Sequence, residues 1–238
     1  MRAALCLCLV WTFAGVRKLQ AEPLDDLLQR YSEQYHGLGE SDGLTSVRID
    51  GSQEQGGRTF SFRLHKKEPD LMRYAWKSEN VSVVCGFNGS EGWVRKDTPD
   101  AVTSERLSAE EAAVLRAEAD FESPLYQHLE KKDVAIELRD PVDIEGRMAH
   151  SVEVSDEEDG TLARYCLDPE TARVRKYERL DPDGEVVLEV LYKDYRNVEG
   201  YPFAFEIETR KDGERVALTS IDDIQLNVGI LSFYFDPP

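Results

Sequence analysis

The sequence predicts a mainly β protein of the α+β class. It calls for a curled antiparallel sheet of about ten to eleven strands, with about three helices covering its concave apolar face. Three observations predict it. Apolar residues recur at every second position through most of the chain, the period at which a strand buries one side. The alternate positions, such as Thr59, Ser61, Arg63, Arg73, Lys77 and Ser82, are polar, which argues for an antiparallel sheet with a wet back. Between the runs stand Glu145-Gly146, Asp159-Gly160, Asp168-Pro169, Asp183-Gly184, Glu199-Gly200 and Asp212-Gly213, at hairpin spacing.

The first residues read as a leader. Arg2 precedes an apolar run from Ala3 to Val16 and a small residue stands at Ala21, the layout of a secretory signal peptide over 1–21 and too short for a membrane span. Cleavage after Ala14 is the alternative. Cys6 and Cys8 lie inside the run rather than at its end, where a lipid anchor would need a cysteine. Residues 22–238 then form a single domain, with no linker, repeat or second membrane-length apolar run.

Charge narrows the function. The chain has 29 basic and 47 acidic residues, a net charge of −18; without Arg2, Arg17 and Lys18 the balance is 26 against 47, or −21. Such a surface repels phosphate backbones and anionic lipid heads, which argues against nucleic acid or a basic membrane-binding patch as partner. Beyond the leader only Cys85 and Cys166 remain, both in predicted strands. In an oxidising compartment they could pair, or stay as two buried thiols acting as small apolar residues.

From Pro23, the residues Leu24, Leu27, Leu28, Tyr31 and Tyr35 make one stripe of an amphipathic helix, with Asp25-Asp26 at its positive end and Gly37 as a stop. Val47 and Ile49 mark a first strand. Three more follow in one unbroken stretch: Phe60, Phe62 and Leu64; Met72, Tyr74 and Trp76; Val81, Val83, Cys85 and Phe87. Asn88-Gly89 turns the chain back through Trp93, and a polar loop surrounds Thr98-Pro99-Asp100. Ser108 and Glu111 form a capping box that opens a second helix, whose inward stripe is Ala112, Leu115 and Ala119 with Phe121 beyond. Ser123-Pro124 starts a third, shorter helix through Leu129. From Val134 to Leu226 the chain is again nearly all strand.

A sheet this long curls, and three short helices cover its concave side without filling it. The remaining space would be lined by Phe60, Phe62, Leu64, Met72, Tyr74, Trp76, Phe87 and Trp93 from one half, Leu115 and Phe121 from the covering helix, and Phe203, Phe205 and Ile207 from the other half. Residue pattern alone fits an apolar pocket or an ordinary filled core equally well.

The order of local motifs resembles the LolA-like outer-membrane lipoprotein-sorting family over essentially the whole of 22–238. The motifs are the basic-Pro turn at Lys67 to Pro69, the aromatic strand ending at Trp76, the hairpin from Asn88 to Trp93, the capped helix at Ser108, the turn from Tyr195 to Gly200, and Asp223 to Asn227 before Phe235. The resemblance implies a half-open β barrel with helices as a lid, carrying the acyl chains of lipoproteins or another lipid across the periplasm. It implies an inner-membrane donor and an outer-membrane receptor as partners, and no cofactor. An envelope-stress sensor or general apolar-ligand binder on the same scaffold is the alternative. One position departs: where the dedicated carrier has a basic residue before the turn proline, this chain has Glu68, which puts directional hand-off in doubt.

Catalytic and metal signatures are missing from the sequence. His36, His65, His128 and His150 are scattered one per element and read as surface or edge residues. The acidic run from Asp156 to Gly160 has its glycine at the wrong offset for a calcium loop and reads as a solvated hairpin tip. The chain is therefore expected not to be an enzyme.

Overall fold

The structure is a computed structural model that describes residues 22–34, 43–119, 124–129, 131, 134–156 and 160–238. The leader expected over 1–21, the helix end at Tyr35, and Phe121 lie outside them.

The first six strands are β1 (Ser46–Gln55), β2 (Arg58–Lys67), β3 (Leu71–Lys77), β4 (Ser82–Asn88), β5 (Gly92–Asp97) and β6 (Val102–Arg106). The remaining seven are β7 (Val134–Ile144), β8 (Arg147–Asp156), β9 (Thr161–Leu167), β10 (Val174–Leu180), β11 (Val186–Val198), β12 (Tyr201–Lys211) and β13 (Glu214–Leu226). All thirteen form one antiparallel sheet in the order β6-β5-β4-β3-β2-β1-β13-β12-β11-β10-β9-β8-β7. Two meanders are therefore zipped together along β1 and β13, and the ends β6 and β7 do not close on each other.

Thirteen strands among the described residues exceed the ten to eleven expected, and β6 explains part of the excess. All five of its residues are exposed, so Val-Thr-Ser-Glu-Arg carries no alternation and reads as loop. Edge pairing to β5 through the backbone makes it a strand. At the opposite edge β7 contains Pro141 beside a register shift between Arg139 and Val142, the place where an edge strand tolerates a residue without an N–H.

Turn chemistry follows the sequence. Glu145-Gly146, Glu199-Gly200 and Asp212-Gly213 all have positive φ at both residues, the type I′ geometry that matches strand twist. The Glu68-Pro69 peptide between β2 and β3 is cis.

Of the helices, α1 (Leu24–Glu33) and α2 (Ala109–Ala119) are the substantial ones, with α3 (Pro124–Leu129) little more than a turn and a half. The expected capping box forms at α2: Ser108 N donates to Glu111 Oε2 at 2.9 Å and Glu111 N to Ser108 Oγ at 3.3 Å. α1 is tied down by Arg30, which pairs with Glu22 at 2.7 Å and donates to the carbonyls of Pro169 and Glu170.

Cross-strand register assigns each side chain to a face. The inner face, on which the helices lie, carries Val152, Val154, Ala163, Tyr165 and Leu167, packed against Leu27 and Tyr31 of α1 and Leu125 of α3. At the other end α2 rests on β3 to β5, and Gly92 is required there because a Cβ would lie 2.9 Å from that of Ala112.

The outer face has two characters. Across β7 to β12 it is a chain of ion pairs: Arg139 to Glu153 (2.7 Å), Glu153 to Arg164 (3.3 Å), Arg164 to Glu178 (3.0 Å), Glu178 to Lys176 (2.6 Å), Lys176 to Glu189 (3.4 Å), Glu189 to Arg210 (3.3 Å), Arg210 to Glu208 (2.6 Å) and Glu208 to Lys193 (3.0 Å). Burial works to raise Glu208, but the bonds from Lys193 and Arg210 outweigh it and hold its carboxyl below the usual range. Across β2 to β5, by contrast, the C-terminal tail lies over the outer face and ends in a single 3₁₀ turn, Ser232–Phe235.

Candidate functional site

Strand register brings the sequence-predicted aromatic residues together on the inner face. Phe62 faces Trp76 and Leu64 faces Tyr74 across β2 and β3; Tyr74 faces Cys85, and Met72 faces Phe87 across β3 and β4. Phe60 meets Trp76 edge to face at 5.3 Å between ring centres, and Phe62 stacks on Tyr74 at 5.7 Å. Gly51 makes room for this, since a Cβ there would strike the Phe62 ring at 2.8 Å. Met72 and Phe87 are buried at the α2 end of the sheet, whereas Phe60, Phe62, Leu64, Tyr74 and Trp76 are only half-buried.

The strip continues across the seam. Ile49 pairs with Leu64 on one side and Ile224 on the other, and Val47 with Leu226. Phe205 is buried in this cluster, with Phe203, Tyr201 and Ile221 half-buried beside it. Leu115 of α2 is half-buried as well, in line with Ala112 and the buried Ala119.

Trp93 is a correction. It faces Gly86 across β4 and β5, so it stands on the outer face, opposite Phe87 and Gly92. Its ring lies where a Gly86 Cβ would be, 2.7 Å away, and its Nε1 donates to the Phe235 carbonyl at 2.8 Å. Trp93 and Phe235 are both fully buried. The tail that covers Trp93 comes from 142 residues further along the chain, and no local pattern announces it.

Histidines also depart from expectation. His65, His128 and His150 are all buried. His65 lies beneath the Tyr234 ring at 5.0 Å, and burial beside Arg63 and Arg48 pushes it down to about 4. Burial lowers His150 too, with Glu22 at 3.4 Å opposing the shift. Asp156, expected at a solvated tip, is buried and paired with Lys131 at 2.7 Å. Cys85 and Cys166 are free thiols, on strands eight steps apart in the sheet order.

The inner strip is apolar and aromatic. Its titratable neighbours Tyr74 and Cys85 are both pushed up by burial, so neither ionises near neutral pH. No group of three or more metal-ligating side chains occurs among the described residues. Missed by the sequence reading were Ile49, Ile221, Tyr201 and Tyr192, which extend the strip toward β11. Their alternation was visible, but only the seam between β1 and β13 puts them beside Phe62 and Leu64.

An open antiparallel sheet with helices on one apolar face defines the LolA-like fold class. The chain superposes on an outer-membrane lipoprotein-sorting protein domain from Vibrio parahaemolyticus with a TM-score of 0.60 at 12% identity, covering 89% of this chain and 95% of that one. A DUF1329 family protein from Desulfovibrio piger gives 0.60 at 11% identity, covering 91% and 98%. A LolA superfamily protein from Nitrosomonas europaea gives 0.56 at 14% identity, again covering 91% and 98%. No family model matches the sequence, and no curated protein matches it either. The likeness is one of fold.

Proposed function

We propose that this chain is an acyl-chain carrier of the periplasm, which shields the lipid of a lipoprotein on its inner face during transfer. The observation that carries this is the run of half-buried apolar side chains from Trp76 and Phe60 through Phe62, Leu64 and Ile49 to Phe203, lying between two helices. Half-buried apolar surface is the surface a hydrocarbon can still cover, and each methylene placed there contributes about 0.8 kcal/mol. Burial pushes Tyr74 and Cys85 on the strip up, so both stay neutral near pH 7, which suits an apolar ligand. Fold likeness to a lipoprotein-sorting domain adds support.

Among the covering helices, α2 is the one expected to give way to a ligand. It is anchored by small contacts, Ala112 on Gly92 and the buried Ala119, whereas α1 is fixed by Leu27, Tyr31 and Arg30. Lys67, in the turn that matches the family's basic-Pro motif, is already committed: its Nζ donates to the Ile230 carbonyl at 2.7 Å. With Glu68 next to it, this turn offers no free cation of the kind tied to release, and we expect the carrier to hold its ligand without the dedicated carrier's hand-off.

The test is titration with a fluorescent fatty acid. Phe62→Glu, and separately Leu115→Glu, is expected to weaken binding by about a hundredfold or more while the strand signal in circular dichroism persists, since a buried carboxylate would have to be desolvated. Unchanged affinity in both variants would rule out the inner face as the site.

A further inference from the structure

The tail that seals Trp93 also builds a recess on the outer face, of about 370 Å³, between the sheet and residues 229–234. Its floor is Arg48, Arg63 and His65. Asp50 accepts from the Nε atoms of both arginines, through one carboxylate oxygen each. This fixes the two guanidinium groups side by side and leaves the terminal nitrogens of Arg63 unspent, on a side chain 52% exposed. Asp223 lies 3.6 Å from Arg48, and Lys67 and Arg73 stand close by, each donating to a tail carbonyl. Four cations against Asp50 and Asp223 make this a positive spot on a chain of net charge −18.

The rim is apolar. Leu231 and Phe233 are 64% and 71% exposed, although the tail around them is well anchored by Phe235, by Arg73 between the Trp93 and Tyr234 rings, and by Lys67. Two large apolar side chains held outward on a fixed segment, beside a preset pair of guanidinium groups, match a ligand with both characters.

We propose that this recess is a second binding site, distinct from the inner face, for an anionic amphiphile: a phosphate or carboxylate head on Arg48 and Arg63 and an alkyl chain along Leu231 and Phe233. The site is independent of the acyl-carrier reading and uses other residues.

Calorimetric titration of the full chain tests it, with dodecyl phosphate below its micellar concentration, inorganic phosphate, and dodecyl maltoside as probes. Arg63→Gln and Phe233→Ser alter exposed side chains and leave the core untouched. Each is expected to weaken dodecyl phosphate about tenfold or more, the loss of one charge-assisted contact or one apolar wall. Phe62→Glu is expected to leave this binding in place, so the two sites fail separately. Dodecyl maltoside binding should be insensitive to Arg63→Gln. Equal affinity for dodecyl phosphate in the parent and both variants overturns the proposal. So does inorganic phosphate binding as tightly as dodecyl phosphate, which would leave a plain anion site with no use for the apolar rim.

Discussion

At the β7 to β10 end of the sheet the inner face is packed to closure by Leu27, Tyr31 and Leu125, while the outer face carries a ladder of ion pairs beside a small buried cluster of Ile144, Ala149, Cys166 and Leu191. At the β2 to β5 end the outer face is the one sealed, by Phe235 on Trp93, and the inner face stays half open under the small residues of α2. The same sheet thus places its firmest packing on opposite sides at its two ends. Half-buried apolar side chains remain on the inner face at the end where α1 does not supply the packing.

The sharpest way to break this comparison is to remove the outer seal. Phe235→Ala deletes a fully buried ring and is expected to cost about 3–5 kcal/mol in urea unfolding, with loss of Trp93 fluorescence shielding. A cost below 1 kcal/mol would mean that the tail is decoration. Leu27→Ala attacks the other end and should cost about 2–5 kcal/mol, by the same measurement, without weakening fatty-acid binding at the strip. Weakened binding would show that the two ends are not independent.

Acid sharpens the comparison at the sealed end. His65 is held neutral by burial, with a folded value of about 4 against an ordinary 6.5. The unfolded chain therefore binds a proton that the folded chain refuses, and stability present above pH 6.5 is lost as pH falls toward 4. The loss is at most on the order of 3 kcal/mol, and His65→Asn should remove that part of the slope in a stability-versus-pH series. The smallest effect belongs to the wet back: Glu153→Gln should cost no more than about 1 kcal/mol at low salt and less at high salt.

Much of the fold was legible because most strands bury one side and so alternate. Phe60 to Leu64, Met72 to Trp76 and Val83 to Phe87 fall on the face their period implies, and the Glu145-Gly146, Glu199-Gly200 and Asp212-Gly213 turns and the Ser108 cap land where they should. What was not legible had one cause in each case. β6 has no dry side, so it leaves no period. Trp93 does have one, but its cover is supplied from the far end of the chain. His65 and His150 are buried by partners equally remote, Tyr234 and Glu22. Local sequence says which residues want shelter, and only topology says which side the shelter comes from.

The pairing of β1 with β13 has a consequence for assembly. Thr45 and Asn227 are bonded across this joint although 182 positions separate them. A chain made from its amino end exposes the hydrogen-bonding edge of β1 until β13 has emerged. Loop closure over such a distance is slow, and an unmatched edge is an invitation to the wrong neighbour. Until that pairing forms, the edge of β1 is open to another chain, and the finished sheet closes it.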